Sequence, residues 1–172
     1  VRLLNCTING NSVTNSSYAS GGAISNSSCP LVQIINCTIS GNVVNGTNTR
    51  GSGIYNSSST TVLLVNSAIV GNSTPNDAAG TGLHNISTSP KLMNTTMANN
   101  GVGGIYSDAN STPELQNSII WGTVSGNYTA NYSLIKGASV TSNGNIDASG
   151  VTAASIFTDD SNGIYTLKNG SP

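Results

Sequence analysis

Charged side chains are scarce in this chain: Asp, Glu, Lys and Arg make up 6% of its 172 residues, against about 25% in typical soluble domains. The five Lys and Arg residues are too few for the clustered basic surface that nucleic-acid binding requires. Disorder is not expected either, because the net charge is only −1 and Val, Ile and Leu recur regularly. The composition favours a folded, neutral body coated with hydroxyl and amide groups.

Long apolar runs are also absent. No run approaches the ~18 residues of a membrane-spanning helix, so we expect no membrane span in this segment. The chain has no initiator Met and no signal peptide, and it starts inside a repeat. We therefore expect residues 1–172 to be a piece, or a processed form, of a longer protein.

Cysteine is rare, with three residues in the chain. Cys6 and Cys37 occupy equivalent positions in the repeat described below, which predicts stacking about 4.8 Å apart. In-register neighbours rarely offer the dihedral angle of a disulfide, so stacked thiols are expected. Cys29 has no evident partner in the sequence, and cysteine usage does not define the redox compartment.

What the sequence does contain is a repeat. An apolar–x–Asn–(Cys/Ser/Thr)–x–apolar motif occurs five times at intervals of 23 to 31 residues, with its Asn at Asn5, Asn36, Asn66, Asn94 and Asn117. A second motif, in which a Gly comes one or two residues before an apolar residue, runs in step with it, and its apolar residue is Ile24, Ile54, Leu83 or Ile105. Two motifs sharing one period are typical of a solenoid. No segment shows the 3.6-residue periodicity of a helix, so the fold class is all-β.

The Asn of the first motif is predicted to lie at a sharp corner of each repeat. Asn tolerates the left-handed backbone conformation that such a bend requires, and stacked amides can form a hydrogen-bonded ladder. Between the motifs, residues 12–21, 43–52 and 73–81 vary in length and are predicted to be loops.

We expect one solenoid of about five to seven rungs. Residues 1–120 form the regular rungs, and residues 121–172 supply the final rungs and an atypical C-terminal cap, since terminal repeats must close the core.

The repeat Asn–Cys/Ser–Thr/Ala–Ile–x–Gly–Asn, followed by Gly–x–Ile–Tyr–Asn, resembles the right-handed parallel β-helix repeats of bacterial and archaeal surface proteins. Gly21-Gly22-Ala23-Ile24 is similar to a motif of polymorphic-membrane-protein repeats. The end of the chain resembles the closing segment of large secreted β-helix proteins, through residues 117–122, 132–135, 144–147 and 165–172. The resemblance implies a right-handed parallel β-helix at the cell surface or outside the cell, in proteins that are mostly adhesive or form surface layers.

Catalysis is not expected, although parallel β-helices also host polysaccharide lyases and hydrolases. Glycoside hydrolysis usually needs two carboxylates about 5–9.5 Å apart. The six acidic residues are scattered, and Asp108 with Glu114 is the pair that deserves measurement. No metal site is expected, since His, Cys and carboxylates do not cluster at usable spacing, and no cofactor is implied.

Two groups of aromatic residues are candidate binding sites. Tyr55, His84 and Tyr106 occupy equivalent positions and are predicted to stack as a surface column, either as packing or as a strip that binds a glycan or protein. Trp121, Tyr128 and Tyr132 near the cap are open to the same two interpretations, packing or binding.

Asn-x-Ser/Thr acceptors in loop-like positions mark candidate glycosylation sites, namely Asn15, Asn45, Asn72, Asn110 and Asn127.

The leading hypothesis is a non-enzymatic segment of a secreted or surface-displayed β-helix, acting as an adhesin or stalk that binds a glycan, a cell surface or a matrix protein. An alternative is the subunit of an extracellular filament, in which copies stack end to end through exposed strand edges. A further alternative is a divergent polysaccharide-active enzyme.

Overall fold

The computed structural model describes residues 1–14, 17–75, 81–101, 103–160 and 164–170. The chain is all-β, with 49% strand and 3% helix. We number the strands β1 to β24 along the chain. Three parallel sheets contain most of them, and the short helix α1 spans Ala153–Ile156.

Each of the three sheets takes one strand from each successive repeat. The first sheet contains β1 (Arg2–Leu4), β6 (Leu31–Ile35), β11 (Thr61–Val65), β14 (Lys91–Met93), β17 (Glu114–Gln116) and β20 (Thr129–Asn131). The second contains β2 (Thr7–Asn9), β7 (Thr38–Ser40), β12 (Ala68–Val70), β15 (Thr96–Ala98), β18 (Ile119–Trp121), β21 (Leu134–Ile135) and β22 (Ile146–Asp147). The third contains β5 (Ile24–Ser27), β10 (Ile54–Ser57), β13 (Leu83–Ile86), β16 (Ile105–Ser107) and β19 (Val124–Ser125). This arrangement is compatible with a β-solenoid.

The pairing register brings equivalent residues of the repeats side by side, so the apolar residues of the first motif form two stripes along the stacked strands. In the first sheet the stripe runs through Leu3, Ile34, Leu64, Leu92 and Leu115. In the second it runs through Ile8, Ile39, Ile69, Met97 and Ile120. From the second repeat onward these side chains are fully buried and, with Ile54, Leu83 and Ile105 of the third sheet, belong to one core cluster.

The predicted corners are confirmed by the backbone. All five motif Asn residues have φ between 48° and 53°, the left-handed region that Asn tolerates better than most residues. Asn36 Nδ2 donates to Asn5 Oδ1 at 3.2 Å, and Asn94 Nδ2 donates to Asn66 Oδ1 at 2.9 Å. The structure adds a second corner of the same kind, where Ser28, Ser58 and Ser87 have φ of 48° to 52°.

The residue after each corner forms a column of small hydrogen-bonding side chains, and this places all three cysteines. Cys6 N donates to Cys37 Sγ at 3.4 Å, and Cys37 N donates to Ser67 Oγ at 3.1 Å. At the second corner, Cys29 N donates to Ser59 Oγ at 3.4 Å. The three thiols are free, so each cysteine occupies a position that Ser or Thr occupies in other repeats.

The prediction of loops between the motifs is wrong for the first two repeats. β3 (Ser12–Thr14) pairs with β8 (Val43–Asn45), and β4 (Tyr18–Ser20) pairs with β9 (Asn48–Arg50), each in parallel. The physical reason is a local alternation of side chains, in which Val44 and Ala19 point inward and are buried while their neighbours face solvent. Sequence composition concealed this because many of the outward residues, such as Ser12, Thr14 and Asn45, are polar residues typical of loops.

After Trp121 the parallel pairing continues through β20, β21 and β22, with Tyr132 at the corner (φ 51°). Tyr128 and Ala138 pack against the main core near its C-terminal end. The last segment packs against the second sheet. Helix α1 and the antiparallel pair β23 (Phe157–Asp159) and β24 (Ile164–Leu167) contribute Ile156 and Phe157 to a second apolar cluster with Ala98 and Leu134 of the second sheet.

Candidate functional site: a cleft beside Trp121

The cleft begins with an unusual outward column on the second sheet. Val70, Ala98 and Trp121 are neighbours in register on β12, β15 and β18, and they alternate with the inward core residues, so they point away from the core. In the earlier repeats this outward position is Asn9 and Ser40. The change from polar to apolar residues explains why the C-terminal segment packs here and not elsewhere on the sheet.

Aromatic rings fix the C-terminal segment against this column. The Trp121 and Phe157 rings meet edge-on with centroids 6.0 Å apart, and the Phe157 and Tyr165 rings do the same at 5.3 Å. Such T-shaped contacts are favoured by the ring quadrupoles. Phe157 is buried whereas Trp121 and Tyr165 are only half-buried, so two of the three rings keep surface available to a ligand.

Between the sheet and this segment lies a cleft of about 560 Å³, within the range of about 300–1,000 Å³ typical of small-molecule sites. Its lining side chains combine aromatic, charged and amide groups, including Asn99, Trp121, Lys136, Ser149, Asp160 and Tyr165. Another cavity among the described residues, near Tyr55, has about 130 Å³.

Lys136 directly follows β21 and reaches back over the neighbouring strand. Its Nζ lies 5.0 Å from the centroid of the Trp121 ring, within the range of a cation–π contact. This contact holds the ammonium group at the cleft, where it can donate hydrogen bonds to a ligand.

The opposite side of the cleft carries Tyr165. Burial raises the pKa of the Tyr165 hydroxyl, against a hydrogen bond from the Asn99 side chain that lowers it. The hydroxyl donates to the Asp160 backbone oxygen at 3.5 Å. Tyr165 is therefore neutral near pH 7 and offers a hydroxyl and a ring face rather than a charge.

Asp147 holds the loop that forms one wall. Its Oδ1 accepts bonds from the backbone N–H of Gly137, Ala138 and Ser149 and from the Ser149 hydroxyl, at 2.7 to 3.3 Å. These bonds, the Ser149 hydroxyl first among them, hold the pKa of the Asp147 carboxyl below its ordinary value. Because Gly137 and Ser149 line the cleft, Asp147 is a positioning residue for it.

The predicted aromatic column of Tyr55, His84 and Tyr106 is present. The three residues are in register on β10, β13 and β16, with ring centroids 5.7 Å apart for Tyr55–His84 and 4.5 Å for His84–Tyr106. The prediction that the column lies on the surface is wrong for His84, which is 3% exposed. The two tyrosines are half-buried, so the column offers two separated rings rather than a continuous strip.

The two acidic residues that the sequence suggested as a pair, Asp108 and Glu114, both bind neighbouring groups of the chain. Asp108 accepts hydrogen bonds from Ser87 N, Asn110 N and the Ser111 hydroxyl, and the Ser111 bond is the largest cause that lowers its pKa. Glu114 Oε1 lies 2.9 Å from Lys91 Nζ, its neighbour in register. Asp77 falls outside the described residues.

The candidate glycosylation sites separate into exposed and buried positions. Asn45, Asn110 and Asn127 are exposed, whereas Asn15 lies outside the described residues. The expectation of a loop position for Asn72 is wrong. Asn72 is 0% exposed, and its Nδ2 donates to Ile39 O at 3.0 Å and Asn100 Oδ1 at 2.9 Å, which leaves no room for a glycan in the folded chain.

Asn72 belongs to a ladder that sequence reasoning missed. Asn11 donates to Asn42, Asn42 to Asn72 and Asn72 to Asn100, each from both the backbone N–H and Nδ2 to the next Oδ1 at 2.9 to 3.1 Å. A second buried ladder runs through Asn26, Asn56, Asn85 and Ser107. The available signal was the Gly-Asn pair that ends three copies of the first motif.

In the part of the chain that the structure describes, no group of three or more His, Cys, Asp or Glu side chains is placed to hold a metal ion. No described helix has the length and apolar character needed to cross a membrane. Comparisons of the chain with protein-family models, with curated proteins and with solved structures give no match.

Proposed function

We propose that the chain is a non-enzymatic segment of a secreted or cell-surface protein, folded as a right-handed parallel β-helix of about five to seven rungs, that acts as an adhesin or stalk. The observation that carries this proposal is that buried side-chain hydrogen bonds link successive repeats, above all in the ladder Asn42–Asn72–Asn100. A body held together in this way is a rigid spacer whose outer surface is free for binding.

The state of the acidic groups supports a role without catalysis. A glycoside hydrolase needs a carboxyl whose pKa is raised, so that it can donate a proton near neutral pH. The pKa values of Asp108 and Asp147 are instead lowered by hydrogen bonds, and Glu114 is ion-paired. These groups act as acceptors that hold turns and neighbouring strands.

The proposal is tested by binding of the labelled chain to immobilised glycans, matrix proteins and intact cells. We expect saturable retention on at least one of these surfaces. If none retains the chain above the level of a heat-unfolded sample, adhesion is refuted.

A further inference from the structure

We propose that the cleft beside Trp121 binds a short neutral oligosaccharide. This inference rests on the adhesin proposal and names the ligand class and the site. It follows from three properties of the lining, which are its aromatic surface, its balanced charge and its exposed backbone.

The aromatic surface suits the apolar face of a sugar ring. Trp121 and Tyr165 both line the cleft and are half-buried, and the Ala153 methyl group adds apolar surface to the same lining. Trp and Tyr combine large apolar area with few rotatable bonds, so ordering them around a ligand costs little entropy. The edge contacts with Phe157 hold both rings in place before the ligand arrives.

The charge of the lining favours a neutral, hydroxyl-rich ligand over an ion. Lys136 and Asp160 bring one positive and one negative charge to the same cleft, so an anion or a cation would meet repulsion from one of them. Sugar hydroxyl groups can use both, accepting from the ammonium and donating to the carboxylate in charge-assisted hydrogen bonds. The Asn99 amide and the Ser149 hydroxyl add neutral polar groups.

Glycine opens the backbone of the cleft to the ligand. Gly101 and Gly137 line it with φ of +51° and +74°, a conformation that glycine adopts at little cost. A Cβ at Gly137 would meet open space, so a ligand can approach this part of the backbone closely, whereas a Cβ at Gly101 would meet the Thr81 side chain. Asp147 holds the Gly137 segment in this position through its bonds to Gly137 and Ala138.

The chain provides its own site-specific reporter, because Trp121 is its one tryptophan. We would titrate the intact chain with cellobiose, lactose, maltotriose, mannotriose and chitotriose and follow Trp121 emission. A saturable change with at least one of them is expected. The same titration with digalacturonate tests the charge argument, and tighter binding of this acidic sugar than of every neutral one would overturn the proposal.

Two variants assign the binding to the cleft. Lys136→Gln and Asp160→Asn each remove one charge with little change in shape, and each should weaken binding about tenfold, as expected for loss of a hydrogen bond to a charged group. Arg2→Gln removes a comparable positive charge on β1, in the first repeat, and should bind as the unmodified chain does. Equal affinity of all three variants, or no emission change with any neutral sugar, would overturn the proposal.

The adhesin proposal and this inference can fail separately. Retention on a cell or matrix surface that persists in the Lys136→Gln/Asp160→Asn double variant overturns the cleft assignment and leaves adhesion standing. Titration with free sugars requires no surface, so it tests the cleft even if adhesion is refuted.

Discussion

Replacing Asn72 with Ala should destabilise the fold far more than an equivalent change at the exposed end of the same ladder. Asn72 is fully buried, and its Oδ1 accepts from Asn42 N at 3.0 Å and from Asn42 Nδ2 at 2.9 Å. Its own Nδ2 donates to Ile39 O. An alanine removes all three of these hydrogen bonds, along with the bond to Asn100, without removing the buried groups that they satisfy.

The magnitude follows from the groups left behind. Asn42 N, Asn42 Nδ2 and Ile39 O lose a partner in the interior, and each such loss costs about 1–3 kcal/mol. For the three groups the sum is about 3–9 kcal/mol of the free energy of unfolding, a large share of the roughly 5–15 kcal/mol of an ordinary domain.

Asn11→Ala is the matched control, because Asn11 occupies the same register and donates to Asn42 in the same way. Asn11 is exposed, so water can replace its bonds, and the expected loss is about 1 kcal/mol. Urea unfolding followed by far-ultraviolet circular dichroism measures both variants. If Asn72→Ala costs no more than Asn11→Ala, the ladder does not stabilise the stacked repeats and the reasoning is refuted.

Three further predictions concern single positions. Asn66→Ala should unfold about 1 kcal/mol more easily than Asn66→Gly, because both lose the bond from Asn94 but only Ala is strained at φ 48°; equal urea midpoints would contradict this. Cys37→Ser should leave the melting temperature within a few degrees, since Ser67 already fills the equivalent position; a large drop would contradict it. The Asp147 carboxyl has a lower pKa in the folded chain than in the unfolded chain. Its contribution to the stability of the folded chain is therefore complete above about pH 5 and is lost as the pH falls below about 4. Across that range the Gly137 and Ala138 amides should lose protection, measured as the exchange rate relative to the intrinsic rate at the same pH, and Asp147→Asn should abolish this pH dependence; unchanged dependence in the variant would contradict the assignment.

The stacked architecture could be predicted because the repeat encodes it directly. A fixed register sets which side chains stack, so recurring apolar residues such as Ile39 and Ile69 become core stripes. The recurring Asn at Asn36 and Asn66 becomes a left-handed corner because few other residues accept that conformation. Both inferences depend only on local conformation and on alternation along a strand.

The buried ladders and the cleft were missed for different reasons. Asn is read as a surface residue, although in a parallel stack Asn72 can satisfy its amide through Asn42 and Asn100. The cleft depends on where the non-repeating C-terminal segment packs, and a repeating sequence pattern contains no information about that position. The contact of Phe157 with Trp121 joins positions that belong to no common motif.

The central claim is that binding occurs at the cleft, and quenching of Trp121 fluorescence by acrylamide tests it most directly. Trp121 is half-buried in the free chain, so acrylamide should quench it at an intermediate rate. At saturation with the sugar that binds most tightly, the account predicts a clearly smaller quenching constant, because the ligand covers the indole ring. An unchanged quenching constant at full saturation would place the ligand elsewhere and contradict the account.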